Sequence, residues 1–265
     1  MRVNTAKTTV DEVIEKLKSE GIDVRLGEVV PECLISESGN PSNTESYKNG
    51  LITIQDESSM LPVHALDLEP GMKVLDMCAA PGGKTTHIAE QMKDEGTVYA
   101  HDLHDHKIKL IQSNAERLGL QSIIPKSGDS RELVEVYGES SFDRILVDAP
   151  CSGFGVIRRK PEIKYVKTEN DIKGLLTIQS SLLDTAEKLL KPNGILVYST
   201  CTVEYEENRG MVEQFLEKHS TIKLIPLPNL TGIDNLEITN DTLQVLPQHF
   251  GGDGFFVAAF QKNDQ

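Results

Sequence analysis

Residues 74–90 read "VLDMCAAPGGKTTHIAE", and this stretch decides the fold. An apolar run ends at Asp76, a turn of Ala79, Ala80, Gly82 and Gly83 folds around Pro81, and a helix is expected from about Lys84. A strand that passes so abruptly into a helix is a βα unit, and the helix start offers N–H groups and a dipole to an anionic group. The dinucleotide fingerprint G-x-G-x-x-G is absent. A P-loop fits better, because Gly83, Lys84 and Thr85 match its end and "ILVDA" (145–149) resembles a Walker B strand. Its first glycine is replaced by Cys78, however, and Pro81 stiffens a loop whose successive N–H groups should wrap phosphate. A nucleotide triphosphatase therefore ranks second. The first reading is a small, flat ligand whose carboxylate sits at the helix start, as a methionine moiety would, with Asp76 meeting its ammonium. A plain packing turn explains the glycines but not the whole string.

Working outward, the pattern repeats. "KVLDM" (73–77), "TVYAHD" (97–102), "FDRILVDA" (142–149) and "ILVYST" (195–200) alternate with helical stretches such as "HKIKLIQSNAERLG" (106–119). This alternation predicts an α/β protein with a mainly parallel sheet, helices on both faces and ligands beyond the carboxyl ends of the strands. Before about residue 70 the character differs. An amphipathic helix, "TVDEVIEKLKSEG" (9–21), puts Val10, Val13, Ile14 and Leu17 on one face. "SESGNPSNTESYKNG" (36–50) is a loop by composition, and "ITI" (52–54) is strand-like. Residues 1–54 are expected to form a small α+β domain, either substrate-positioning or a lid, ahead of a catalytic domain over 55–265.

A chain of 265 residues can bury a sizeable core without staples. Cys33, Cys78, Cys151 and Cys201 are scattered, with no C-x-x-C pair, so no metal is expected. With no leader and no membrane-spanning run, free thiols suggest a cytoplasmic protein. The net charge of −14 opposes binding of nucleic acid by bulk electrostatics, so any such site must be local. "GVIRRKPEIKYVK" (155–167) gathers Arg158, Arg159, Lys160, Lys164 and Lys167, and is either that site or a solvated loop.

Other candidates fall at strand ends. Asp102 lies 26 residues beyond Asp76, where an acid accepts from ribose hydroxyls in nucleoside-binding folds (about 20 is usual); it is otherwise a helix cap. Asp129 is placed to accept from an adenine amine, or to make a turn. Lys107 reads as a helix-surface lysine. Cys151 in "VDAPCSG" (147–153) and Cys201 in "YSTCTVEYEEN" (198–208) each end an apolar run, Cys201 just before a helix expected from Glu204. A helix start and nearby cations favour thiolate. A single buried cysteine is more often inert core, but two, each ending a strand of one parallel sheet, are harder to dismiss.

Taken together, "DMCAAPGGKT", "DAPCSGFGVIRRKPEIKY", "YSTCTVEYEEN" and "GGDGFFVAAF" resemble, in order and spacing, the RNA cytosine-5 methyltransferases of the Nol1/Nop2/Sun family. The resemblance runs from about Gln55 to Lys262, and the opening residues resemble the family's small domain before the core. It implies a Rossmann-like class I methyltransferase fold with a seven-stranded sheet, S-adenosylmethionine as cofactor and RNA, through the bacterial members small-subunit ribosomal RNA, as substrate. A monomer is expected. Those bacterial members carry a preceding helical domain resembling the antitermination factor NusB, so the chain is expected to be either a fragment or a short natural form.

Carbon 5 of cytosine is a poor nucleophile, so a thiolate must first add to carbon 6. The resemblance implies Cys201 as that thiol and Cys151 as the one assisting release. This division differs from DNA cytosine-5 enzymes, where the proline-cysteine thiol attacks. It further implies Asp148 and Lys84 in the pocket of the flipped base, and Cys78, Ala79, Ala80, Pro81, Gly82, Gly83 and Lys84 with Asp102, Asp129 and Asp148 around the cofactor. Arg158, Arg159 and Lys160 would face RNA phosphates. Phe255 and Phe256 are expected in the core rather than as base-stacking platforms.

Overall fold

The computed structural model describes residues 1–166, 168–231, 233, 236 and 238–264, with the backbone alone for Lys164 and Val166. Near the N-terminus, β1 (Arg2–Val3), β2 (Val24–Leu26), β3 (Leu34–Ser36) and β4 (Ile52–Thr53) surround the helix Val10–Ser19. Thr9 and Glu12 close a capping box at the start of that helix. Its apolar stripe buries Val13 and Leu17 against Val3, Ile22, Leu34 and Ile52. β1 pairs with β4 and β2 with β3, both antiparallel. The stretch 36–50 is less of a loop than its composition predicts. Asn40 and Thr44, which favour loops, act here as caps and start short helical turns at Pro41–Asn43 and Glu45–Lys48.

The remaining strands are β5 (Lys73–Asp76), β6 (Thr97–Asp102), β7 (Ile123–Ser127), β8 (Phe142–Asp148), β9 (Leu190–Thr200), β10 (Ile222–Ile225), β11 (Ile238–Thr239), β12 (Thr242–Val245) and β13 (Phe255–Lys262). They build one sheet in the order β11-β12-β13-β9-β8-β5-β6-β7, with β10 also on β13. β5 to β9 are parallel, and β13 joins β9 antiparallel. The sheet has nine strands rather than the expected seven, because β13 is long enough to carry two partners end to end. β12 lies opposite Phe255–Ala258 and β10 opposite Ala259–Lys262. At the other margin β7, "IIPKS", pairs with β6 alone, with Ile123 buried and Ile124 exposed.

Strand residues alternate between two cores, as the two-residue period requires. Val74, Leu146, Val197 and Val257 pack under the helices Gly83–Gln91 and Asp105–Leu118. Leu75, Val147, Tyr198 and Phe256 pack under Glu169–Leu189 and Arg209–Lys218. Phe255 and Phe256 are both core, as expected.

Polar ties fix the N-terminal segment to the helix Gly83–Gln91, which covers the sheet. Arg2 is fully buried and donates to both oxygens of Glu90 at 2.8 Å, to Gly83 O, to Thr86 Oγ1 and to Gln55. Removing one partner of such a pair leaves the other charge stranded, at a cost of about 3–5 kcal/mol. Glu32 Oε1 receives His64 Nε2 at 2.8 Å, His87 Nε2 at 2.6 Å and Gln91 Nε2 at 3.0 Å. These are hydrogen-bond spacings on a single oxygen, shorter than the roughly 3.3 Å between ligand atoms around a tetrahedral zinc. No helix among the described residues is long and apolar enough to cross a membrane.

Candidate active site

The parallel strands end on one side of the sheet, and the chemistry-bearing residues collect there. Beyond β5 the turn bends through a cis Ala80–Pro81 bond and Gly82 at φ +103° into the helix Gly83–Gln91. The turn uses its own N–H groups internally. Ala79 N donates to His101 O, Gly82 N to Ala79 O and Ala80 N to Asp102 Oδ2. Successive N–H groups are thus not free to wrap a triphosphate, which removes the P-loop reading; the first helical N–H groups, of Gly83 and Lys84, keep no intrahelical partner. Asp76 is buried and accepts from Thr85 Oγ1 at 2.7 Å. Burial raises its pKa to about 7.

A cavity of about 420 Å³ runs along these strand ends. Asp102, Lys107, Asp129 and Arg131 line one end, and Asp148, Cys151 and Cys201 the other. Asp102 is not the cap of the next helix; that position is His104. Its Oδ1 lies 3.5 Å from Lys107 Nζ. Lys107, expected on the helix surface, therefore belongs to the cavity, because the first turn of that helix leans over Asp102. Asp129 caps the turn Ser130–Glu132 and pairs with Arg131, whose hydrogen bonds hold its carboxyl below the usual range.

A second cavity, of about 220 Å³, touches the first at Cys78, Ala80 and Asp148. Asp56, Asp76, Lys84 and Arg159 line it. Lys84 Nζ donates to Asp148 Oδ2 at 2.7 Å and stands 4.9 Å from the Phe255 ring centre. Burial alone would lower the pKa of Lys84, but Asp148 outweighs it and holds the ammonium above its ordinary value. Ser199 Oγ donates to Asp148 Oδ1 at 2.8 Å, so both carboxylate oxygens are fixed.

Cys151 and Cys201 come together with Sγ···Sγ at 3.4 Å. The pair is asymmetric. The hydrogen bond from Cys151 lowers the pKa of Cys201, with Lys84 helping against burial and Asp148. That same hydrogen bond, with burial, raises Cys151 well above a free thiol. The expected helix at Glu204 does not begin until Arg209. Residues 204–208 are held in turns, with Asn208 bonded to Thr200 and Thr202, so a cysteine and a lysine rather than a helix dipole favour the Cys201 thiolate.

The basic stretch is less open than its sequence suggests. Arg158 donates to Gly251 O at 2.7 Å, and Arg159 pairs with Asp253 and Asp56. Lys160 is exposed. Lys167 lies outside the described residues, as does the side chain of Lys164. Among the cavity residues, sequence reasoning missed Asp56, Arg131 and Lys107; only the last carried a signal, its position in the first turn after Asp102.

Strand order, strand-end cavity and a carboxylate at the end of each of β5, β6 and β8 define a Rossmann-like class I methyltransferase. The sequence profile of the family described as 16S rRNA methyltransferase RsmB/F matches residues 63–261. The chain belongs to that family. It is 44% identical over 268 residues to the probable ribosomal RNA small subunit methyltransferase B of Bacillus subtilis, covering 99% of this chain and 59% of that protein. It thus spans about three-fifths of the length of the curated relatives it matches. A methyltransferase homologue from Pyrococcus horikoshii superposes with a TM-score of 0.84 at 36% identity, covering 98% of this chain and 85% of that one. NSun6 from Pyrococcus horikoshii, solved with SFG, shares the fold with a TM-score of 0.86 at 24% identity, over 100% and 90% of the two chains.

Proposed function

We propose that the chain is the catalytic part of a small-subunit ribosomal RNA methyltransferase, S-adenosylmethionine-dependent, acting on carbon 5 of a cytosine through a covalent adduct of Cys201. The observation that carries this reading is the 3.4 Å contact of two thiols beside the Lys84–Asp148 pair.

The cavities suit this chemistry. The larger falls in the usual range for a small-molecule site, roughly 300–1,000 Å³. Asp102 and Asp129 offer acceptors to ribose hydroxyls and an amine at one end. The buried Asp76, poised near neutrality, ionises beside an ammonium. Most of the run Cys78–Lys84 lines the smaller cavity, with Cys78 and Ala80 reaching the larger one, and Asp148 lies where the cavities meet. S-adenosylmethionine supplies an electrophilic methyl group when bound.

The chain's own residues do the rest. Cys201 thiolate adds to carbon 6 of the flipped base, forming the S–C6 bond and making carbon 5 an enamine carbon. Asp148, held by Ser199 and Lys84, accepts from the exocyclic amine beside the ring nitrogen, and the Lys84 ammonium paired with it offsets the negative charge that sulfur addition pushes onto the ring. After carbon 5 is methylated its proton passes to a base from solvent, the electron pair left behind restores the C5–C6 double bond and expels the Cys201 thiolate, and Cys151 assists this release. Residues 1–54 act as an RNA-positioning domain beside the smaller cavity, where Gln55 and Asp56 follow directly. Lys160 is the best placed of the basic loop to meet phosphate. Arg158 and Arg159 would first have to leave their partners.

The test is asymmetric. Cys201→Ala should lose both methylation and the covalent protein–RNA band on a denaturing gel, whereas Cys151→Ala should accumulate that band. Exchange of the two phenotypes would overturn the assignment.

A further inference from the structure

Behind the thiols lies a buried layer that the chemistry above does not use. Glu207 is fully buried. Its Oε1 accepts from Ser152 N at 2.9 Å and from Gln179 Nε2 at 3.0 Å, and Gln179 Nε2 also donates to Pro150 O at 2.9 Å. The residues on either side of Cys151 are thus both gripped. The next residue, Asn208, does the same for Cys201: its Oδ1 accepts from Thr200 Oγ1 at 2.5 Å and its Nδ2 donates to Thr202 O at 3.1 Å. A hydrogen bond of 2.6 Å between Ser152 Oγ and Thr202 Oγ1 joins the two grips.

We propose that Glu207 is the positioning residue that sets the Cys151 thiol against Cys201, an inference that rests on the two-thiol reading above. Two adjacent side chains, Glu207 and Asn208, register two strand ends that lie 50 residues apart. A rigid main chain on both sides of each cysteine leaves only the side-chain torsions to adjust, which favours a fixed thiol pair.

The charge of Glu207 acts in the same direction. Its second oxygen, Oε2, is buried and finds no partner among the described residues, so the carboxylate is offset by an N–H and an amide only. An anion behind Cys151 disfavours a second anion there. The groups facing the pair are Asp148 and Glu207 around Cys151, and Asp148 and Lys84 around Cys201. Asp148 opposes ionisation of both thiols. The hydrogen bond between the two thiols is the main source of the difference, and Glu207 on Cys151 and Lys84 on Cys201 add to it in the same direction. A carboxylate at 207 therefore reinforces the proton's place on Cys151.

The experiment compares wild type, Glu207→Ala, Glu207→Gln and Cys151→Ala. Iodoacetamide labelling across pH, resolved for each cysteine by peptide mass spectrometry, needs no RNA. In Glu207→Ala the Cys201 midpoint should rise by about one pH unit as the Cys151 contact loosens. In Glu207→Gln, which keeps the acceptor oxygen, the Cys151 midpoint should fall by a similar amount of about one unit. With RNA, Glu207→Ala should accumulate covalent adduct to the level of Cys151→Ala. A folded Glu207→Ala with both midpoints unchanged overturns the inference. If that variant does not fold, an unchanged Cys151 midpoint in Glu207→Gln overturns it instead. Absence of adduct in Cys151→Ala counts against the two-thiol reading alone, since the midpoints still decide the role of Glu207.

Discussion

Asp148 sits where every feature of the site meets: it ends β8, lines both cavities, and is held by Lys84 on one oxygen and Ser199 on the other. A carboxylate so constrained is preorganised, and preorganised charge is the largest lever on a reaction in which charge develops. Asp148→Asn keeps the shape and removes the charge, so single-turnover methyl transfer should fall by about 10²–10³-fold with cofactor affinity altered far less. A proportionate loss of cofactor binding in a titration would place Asp148 in the cofactor site rather than against the base. At this scale much was legible. Cys151, Cys201, Lys84 and Asp148 carry their chemistry in motifs a few residues long, and the structure brings all four together. Arg159, expected to face RNA phosphates, pairs with Asp253, which is 94 residues away, and no local pattern reveals such a pairing.

Elements explain why the residues arrive with such economy. The bend from β5 into the helix Gly83–Gln91 needs a left-handed residue, and Gly82 supplies it at φ +103°. A Cβ there would lie 3.1 Å from the Ile111 Cα on the neighbouring helix, where main chain cannot give way cheaply. Gly82→Ala should therefore cost about 1–3 kcal/mol in denaturant unfolding, with cofactor binding weakened in parallel. Unchanged stability would show that the turn has another conformation available. β5, β6, β8 and β9 were readable because buried parallel strands are continuous apolar runs. β11 and β12 were not, having two and four residues, and their place depends on the length of β13. The start of the helix at Arg209 was missed because "EYEEN" has helical composition, while Asn208 spends its side chain on the Cys201 turn.

Across the whole molecule, buried histidines make stability sensitive to acid. His87 and His101 protonate at about 3 and about 4 in the folded chain, against an ordinary 6.5, because burial disfavours the cation. Below about pH 6.5 the unfolded chain takes up protons that the folded one refuses, so their contribution is full above that pH and is lost as pH falls toward the folded values. Asp76 runs the other way, from 3.8 to about 7, adding stability that fades as pH rises through that window. Glu90, raised by burial, sides with Asp76, while the N-terminal ammonium, lowered by burial, sides with the histidines, so three groups against two leave the acid side weaker and the melting temperature should drop between about pH 6.5 and 4. A flat calorimetric profile over that range would refute this. The net charge of −14 was legible at once, but the ties of Arg2 to Glu90 and of Glu32 to His87 on the helix Gly83–Gln91 were not, since each spans more than fifty residues.

The sheet ends on one side in β7, whose outer row of backbone groups has no neighbour among the described strands. Such an open margin invites another polypeptide to add itself and so seeds aggregation. The strand is only five residues long, Pro125 removes one donor from it, and Lys126 places a charge beside the gap. A chain that must expose this margin while its slower parallel pairings form thus carries its own guard against assembling with copies of itself.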